Sequence, residues 1–295
     1  MIASFVIALT MAQPAPAKIP EQKLEIQGHR GARWMRPENT LPAFQYALEN
    51  GVSTLELDMH VTEDNVIVVT HDPYINENVC LDPNGQRIHD KILVKNLTLK
   101  ELRKYDCGSL VNPLFPAQTP VPKTSMPTLE EVFGLVENSK LPNAKTIKFN
   151  IETKSEEAHP EFTPAPEPFV RMVLATVKKH KMLNRVELQS FDYRTLKIAK
   201  QLEPKLKLSL LIENRPKEEN GLIQLVQQYG VQILSPNYEW LTEQDVQDMH
   251  KIRVKVLPWT PNTREDWRKL IGMGVDGIIT DNPKALIDFV KEEEK

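Results

Sequence analysis

The stretch STLELDMHVTEDNVIVVTHDP, Ser53–Pro73, sets acidic side chains among apolar ones, then turns and runs apolar to a histidine. In a strand successive side chains face opposite ways, so Glu56 and Asp58 share one face while Leu55 and Leu57 share the other. The second apolar run, Val66 to Val69, reads as a short hairpin after that strand and ends at His71. Two carboxylates on one face repel each other unless a cation lies between them. His60 is assigned to the face opposite Asp58 and is left outside the candidate site.

Similar runs recur along the chain, most of them followed by a helical pattern. Counting outward from 54–58, strand-like segments fall at 24–27, 147–152, 186–189, 207–212, 232–234, 254–258 and 277–280. Phe169, Met172, Val173 and Val177 repeat with helical spacing, as do Leu222, Leu225, Val226 and Tyr229. The quartets TLKE from Thr98 and TLEE from Thr128 read as capping boxes that open helices. Eight strands alternating with helices predict an α/β fold, a (β/α)8 TIM barrel in one domain over about residues 24–290. A doubly wound open sheet is the alternative, although no Gly-rich dinucleotide turn follows the first strand. The segment from about 73 to 126 breaks the rhythm. Rich in Pro, Asn and Asp, it reads as a small insertion after the second strand, over one mouth of the barrel. HPEFTPAPEP, 159–168, is a loop before the next helix.

Bulk properties narrow the function classes. The 295 residues carry a net charge of −3 and no long basic stripe, which argues against nucleic acid or an anionic membrane as the main partner. After the N-terminus no run of about 20 apolar residues offers a stable membrane insertion. The opening MIASFVIALTMAQPAPAK resembles a signal peptide, residues 1–17, ending in an Ala15-Pro16-Ala17 cleavage site, but lacks the usual positive charge before its apolar core. It points to export, to a periplasm or the outside; without a functional signal the chain would stay cytoplasmic. Cys80 and Cys107 are the only cysteines, and in an exported chain such a pair is expected to bridge. Two buried free thiols are the alternative.

In such barrels the active site lies at the C-terminal ends of the strands. There the first strand ends in GHRG (Gly28–Gly31), the second in ELD (Glu56–Asp58) and the third in IETK (Ile151–Lys154). Three carboxylates, two histidines, an arginine and a lysine therefore converge on one rim. Each alone has a bland reading: a solvated histidine, a wet sheet face, a surface ion pair. Their joint placement does not. Glu56, Asp58 and Glu152 offer only oxygen, which suits one hard divalent cation, Ca2+ or Mg2+, rather than zinc. Arg30 and Lys154 suit anionic oxygens, while His29 and His71 titrate near neutrality and suit acid–base work.

GHRGARWMRPENTLPAF (28–44) followed by ELDMHVTEDNVIVVTHDP (56–73) resembles the glycerophosphodiester phosphodiesterase family. IETK, QSFD (189–192) and GIITDNP (277–283) match its later motifs; Thr153 and LPWTPN (257–262) depart from it mildly. The resemblance implies metal-dependent hydrolysis of a small-molecule glycerophosphodiester to sn-glycerol 3-phosphate and an alcohol. It also implies attack by the neighbouring glycerol hydroxyl through a cyclic phosphate, with His29 and His71 as catalytic acid and base in an order left open. Glu38 is either a polar helix-entry residue or a partner orienting Arg30 or a histidine. Trp259 is either core or a wall of the glycerol pocket. Related lipid-directed barrel phosphodiesterases are the rivals; only 6% aromatic residues and no evident apolar rim favour soluble substrates. A barrel that only binds such diesters is the non-enzymatic alternative, and oligomeric state stays open.

Overall fold

The computed structural model describes residues 24–295 apart from Glu219, so the expected signal segment, 1–17, lies outside the described residues. Eight parallel strands form a nearly closed barrel: β1 (Glu25–Gly28), β2 (Thr54–Val61), β4 (Lys148–Thr153), β5 (Val186–Ser190), β6 (Lys207–Ile212), β7 (Ile233–Pro236), β8 (Lys255–Val256) and β9 (Gly277–Thr280). The ring closes past β8, where Ile279 N donates to Pro258 O at 3.0 Å. β3 (Ile67–Val69) pairs antiparallel with the end of β2 and is the hairpin arm that delivers His71. Helices α1 (Leu41–Glu49), α3 (Leu129–Glu137), α4 (Pro166–Lys179), α5 (Tyr193–Leu202), α6 (Gly221–Tyr229), α7 (Glu243–Lys251), α8 (Arg264–Met273) and α9 (Pro283–Glu293) surround it. α4 begins at Pro166, so the last three residues of the expected Pro-rich loop are its first turn, where a proline's missing N–H costs nothing.

Local chemistry starts these helices. Thr128 accepts from Glu131 N while Glu131 bonds back to the Thr128 backbone, and Thr98 does the same for the short α2 (Leu99–Leu102). Thr40 caps α1, its side chain accepting from Ala43 N. Leu55 and Leu57 face outward from β2 and are fully buried beneath the helices, a burial that contributes roughly 1.5–3 kcal/mol each. Phe149 on β4 meets Phe133 of α3 edge to face at 4.8 Å.

The barrel interior is polar, which reverses the wet-sheet reading of its carboxylates. Asn150 Nδ2 donates to Gln27 Oε1 at 2.8 Å and to Gln189 Oε1 at 2.9 Å, and Gln27 Nε2 donates to Glu187 Oε1 at 2.7 Å. The amide donors among them are partnered, which lets these groups sit inside. They form a floor beneath the mouth.

Between β3 and α3 the insertion packs Ile75, Ile88, Val94, Leu102 and Met126 against Val68 of β3 and around the Cys80–Cys107 disulfide. It also leans on the β1–α1 loop, where Thr119 N donates to Met35 O at 3.0 Å and Phe115 packs against Trp34 at 5.7 Å.

Candidate active site

The tight GHRG turn sets the first side of the site. A Cβ on Gly28 would lie 2.0 Å from Gly31 O, and Gly31 sits at φ +86° with Ala43 close behind. Arg30 itself is left-handed, at φ 49°. This uncommon conformation turns its backbone N–H onto Glu56 Oε2, at 2.7 Å, while its guanidinium reaches Glu38 at 2.7 Å and Asp58 at 3.4 Å. Glu38 thus orients Arg30, the second of its two readings.

Glu56 and Asp58 point into the mouth from β2, and Glu152 joins them from the neighbouring β4, where Asp58 pairs with Glu152 in register. One oxygen from each lies within 4.8 Å of the others, and all three residues are buried. Burial and the Asp58 charge hold the Glu56 carboxyl well above its ordinary range. Burial pushes Glu152 up to about 7 despite Lys154 beside it. Burial acts the same way on Asp58, yet the charges of His71, Arg30 and Lys154 hold it well below its ordinary value. With all three ionised the cluster would hold more buried negative charge than its neighbours neutralise, so without a further cation Glu56 and Glu152 tend to keep their protons. Together with its all-oxygen donor set, this fits a hard divalent cation.

The two histidines line the same cavity, of about 150 Å3, with Arg30, Lys154, Phe191 and Trp259. His29 Nδ1 lies 2.6 Å from Asp281 Oδ1, and His71 Nδ1 lies 2.9 Å from Asp72 Oδ1. A carboxylate can only accept, so each Nδ1 is the protonated nitrogen; His29 Nε2 is left for the cavity, whereas His71 Nε2 accepts from Lys154. Burial, then the Arg33 charge, push His29 down to about 4, so its imidazole is neutral at pH 7. Lys154 Nζ lies 3.0 Å from Glu152 Oε1 and 3.1 Å from His71 Nε2. All seven residues expected at the rim thus converge. A wider groove of about 1340 Å3 between α1, α3 and α4 holds none of them.

The assignment of His60 is corrected. Two residues past Asp58, it shares that face, is buried, and its Nε2 bonds His71 O at 3.1 Å. Trp259 is a cavity wall, its ring edge to face with Phe191 at 5.7 Å and its Nε1 on Ser235 O at 2.9 Å. Phe191 itself is 41% exposed, an aromatic at the mouth that low overall aromatic content did not announce.

Four polar partners were missed. Asn39 Nδ2 donates to Asp58 Oδ2 at 2.8 Å, and Gln189 Nε2 donates to Glu56 Oε1 at 2.8 Å. Asp281 takes Arg33 Nε at 2.5 Å as well as His29, and Asp72 sits beside His71. All four lie inside quoted motifs, so motif membership was the available signal.

The family model described as the glycerophosphoryl diester phosphodiesterase family matches residues 29–285. A glycerophosphodiester phosphodiesterase of Caldanaerobacter subterraneus is 33% identical over 270 residues, covering 92% of this chain and 99% of the relative. One from Bacillus subtilis is 27% identical over 95% of this chain and 91% of its own. Among solved structures, a provisionally named glycerophosphoryl diester phosphodiesterase of Silicibacter pomeroyi superposes with a TM-score of 0.86 at 31% identity, over 92% of this chain and 95% of that one. A phosphodiesterase of Oleispira antarctica, solved with its product sn-glycerol-3-phosphate, shares the fold at a TM-score of 0.74 and 22% identity, over 92% and 97% of the chains. No helix among the described residues is long and apolar enough to cross a membrane.

Proposed function

Since this chain belongs to the glycerophosphoryl diester phosphodiesterase family and is a glycerophosphodiester phosphodiesterase, we propose that it works as a cation-dependent, two-histidine hydrolase. Its products are then sn-glycerol 3-phosphate and an alcohol. The observation that supports this reading is that both histidines line one cavity together with three buried carboxylates.

Glu56, Asp58 and Glu152 would hold the Ca2+ or Mg2+ ion, which when bound withdraws charge from the phosphodiester. Arg30 and Lys154 bind the phosphate's free oxygens, the first as a fork, the second as a point charge. His29, neutral and with its Nδ1–H committed to Asp281, accepts at Nε2 the proton of the attacking hydroxyl. His71 gives a proton from Nε2 to the leaving alcohol. Burial and the Arg30 charge hold that ring below its ordinary value, and Lys154 occupies its Nε2. The entering phosphate draws Lys154 to its own oxygens and adds the negative charge that favours the protonated ring. Phe191 and Trp259 wall the cavity on its apolar side. Glycerol 3-phosphate release from several glycerophosphodiesters, by wild type and by His29→Ala and His71→Ala, tests the scheme. Loss in both variants supports it, and near-normal turnover in both overturns it.

Export is part of the same proposal. The Cys80–Cys107 disulfide supports an oxidising compartment. Mass spectrometry of protein recovered outside the cytoplasm should find a chain beginning at Lys18; an intact N-terminus would count against it.

A further inference from the structure

We propose that Asn76, in the disulfide-bridged insertion, is a positioning residue for His71. This rests on the assignment of His71 as a proton-transfer group.

A continuous set of hydrogen bonds links the two. His71 Nδ1 meets Asp72 Oδ1 at 2.9 Å, and the other oxygen, Asp72 Oδ2, accepts from Asn76 Nδ2 at 2.5 Å. The orientation of the Asn76 amide follows from its far end, because Oδ1 accepts the backbone N–H of Asn78 at 2.8 Å. Nδ2 must therefore face Asp72. The backbone of Asn76 is held in turn: its carbonyl accepts from Cys80 N at 2.8 Å, in the turn that ends at the disulfide. Ile75 beside it is fully buried, and its N–H donates to Ile92 O at 2.8 Å. Asp72, Asn76, Cys80 and Cys107 all border one void of about 20 Å3, with space for a single water at most.

The physical consequence is a fixed Asp72 carboxylate. His71 leaves the barrel at the end of a short hairpin arm and its ring is about a third exposed, so besides Lys154 at Nε2 its position rests on the Asp72 bond at Nδ1. An aspartate with one oxygen on the ring and nothing on the other would rotate about its side-chain torsions and carry the ring with it. Asn76 removes that freedom, and the disulfide anchors Asn76. The insertion thus places a catalytic group instead of merely covering the mouth. Outer partners of this kind cost activity when removed even though they never touch substrate.

The test is a double-mutant cycle on the full-length chain with its cation, with glycerol 3-phosphate release as the readout. Asn76→Ala should lower kcat about 10-fold with KM little changed. Asn76→Asp keeps the shape and the bond from Asn78 but replaces the donor with a second carboxylate, and should fall at least as far. In an Asp72→Ala background Asn76→Ala should cost nothing further, because the path is already cut. Reducing the disulfide under conditions where circular dichroism stays native should lower wild-type kcat in the same direction and leave Asn76→Ala unchanged. A full-sized additional loss in the Asp72→Ala background, or normal kcat in Asn76→Asp, overturns the proposal. Normal turnover by His71→Ala would instead remove the reading beneath it.

Discussion

Asp281 Oδ1 lies 2.6 Å from His29 Nδ1, although 252 residues separate the two in the chain. The parallel pairing of β1 with β9 brings them together, and Arg33 and Asn262 hold the same carboxylate at 2.5 and 2.7 Å. Because Asp281 can only accept, it selects the His29 tautomer whose Nε2 is a base. Asp281→Asn would offer an N–H to Nδ1 and favour the other tautomer. The variant should fold and bind substrate, yet lose on the order of 10² to 10⁴ in kcat, the scale seen when an aspartate that fixes a catalytic imidazole is amidated. Steady-state kinetics beside a thermal melt check this.

The pH behaviour of His29 follows from its burial. Its pKa falls from the ordinary 6.5 to about 4, with the Arg33 charge adding to the desolvation. A depressed value means that the unfolded chain binds the proton first as pH drops. The stability owed to this group is therefore present above pH 6.5 and is lost as pH falls towards about 4. Denaturant midpoints should show that direction, and the acid limb of kcat/KM should lie below the usual histidine range. An acid limb centred at 6.5 would contradict a buried, neutral base.

Arg30 is a fork held at both ends, by Glu38 at 2.7 Å and near Asp58 at 3.4 Å. Lysine keeps the charge but cannot span both partners and a phosphate oxygen. Arg30→Lys should reduce kcat/KM about tenfold, the worth of one charge-assisted hydrogen bond. Kinetics on a soluble glycerophosphodiester would show it, with an unchanged value arguing that Arg30 does not meet the phosphate.

The disulfide closes a separation of 27 residues. In the chain-entropy model such a link stabilises by roughly 3 kcal/mol. Reduction should lower the denaturant midpoint, and thiol counting on the unreduced, unfolded chain should find no reactive thiol.

Much of this was legible where a short-range rule sufficed. Strand alternation put Glu56 and Asp58 on one face, capping quartets marked Thr98 and Thr128, and strand ends located His29, Glu152 and Lys154. The same alternation, misapplied, sent His60 to the wrong face, although two residues from Asp58 it had to share that side. Other features depend on three-dimensional closure. Asp281 reaches His29 only because the last strand pairs with the first, and Gln189 reaches Glu56 only across the barrel interior. The polar floor was illegible for another reason. Gln27, Asn150 and Glu187 read as ordinary polar residues until they satisfy one another out of water. The insertion lacks a strong period, since much of its order comes from turns and one covalent link.

The central claim is that Glu56, Asp58 and Glu152 form a catalytic cation site, and chelation tests it most directly. Glycerol 3-phosphate release should be measured on chelator-treated protein, then after Ca2+ or Mg2+ is returned, for wild type and for Asp58→Asn, which keeps the shape and removes one charge. The account predicts that chelated wild type is inactive and recovers with either cation, while Asp58→Asn stays inactive throughout. Undiminished turnover by the chelated wild type, or by Asp58→Asn, would show that the three acids are not that site.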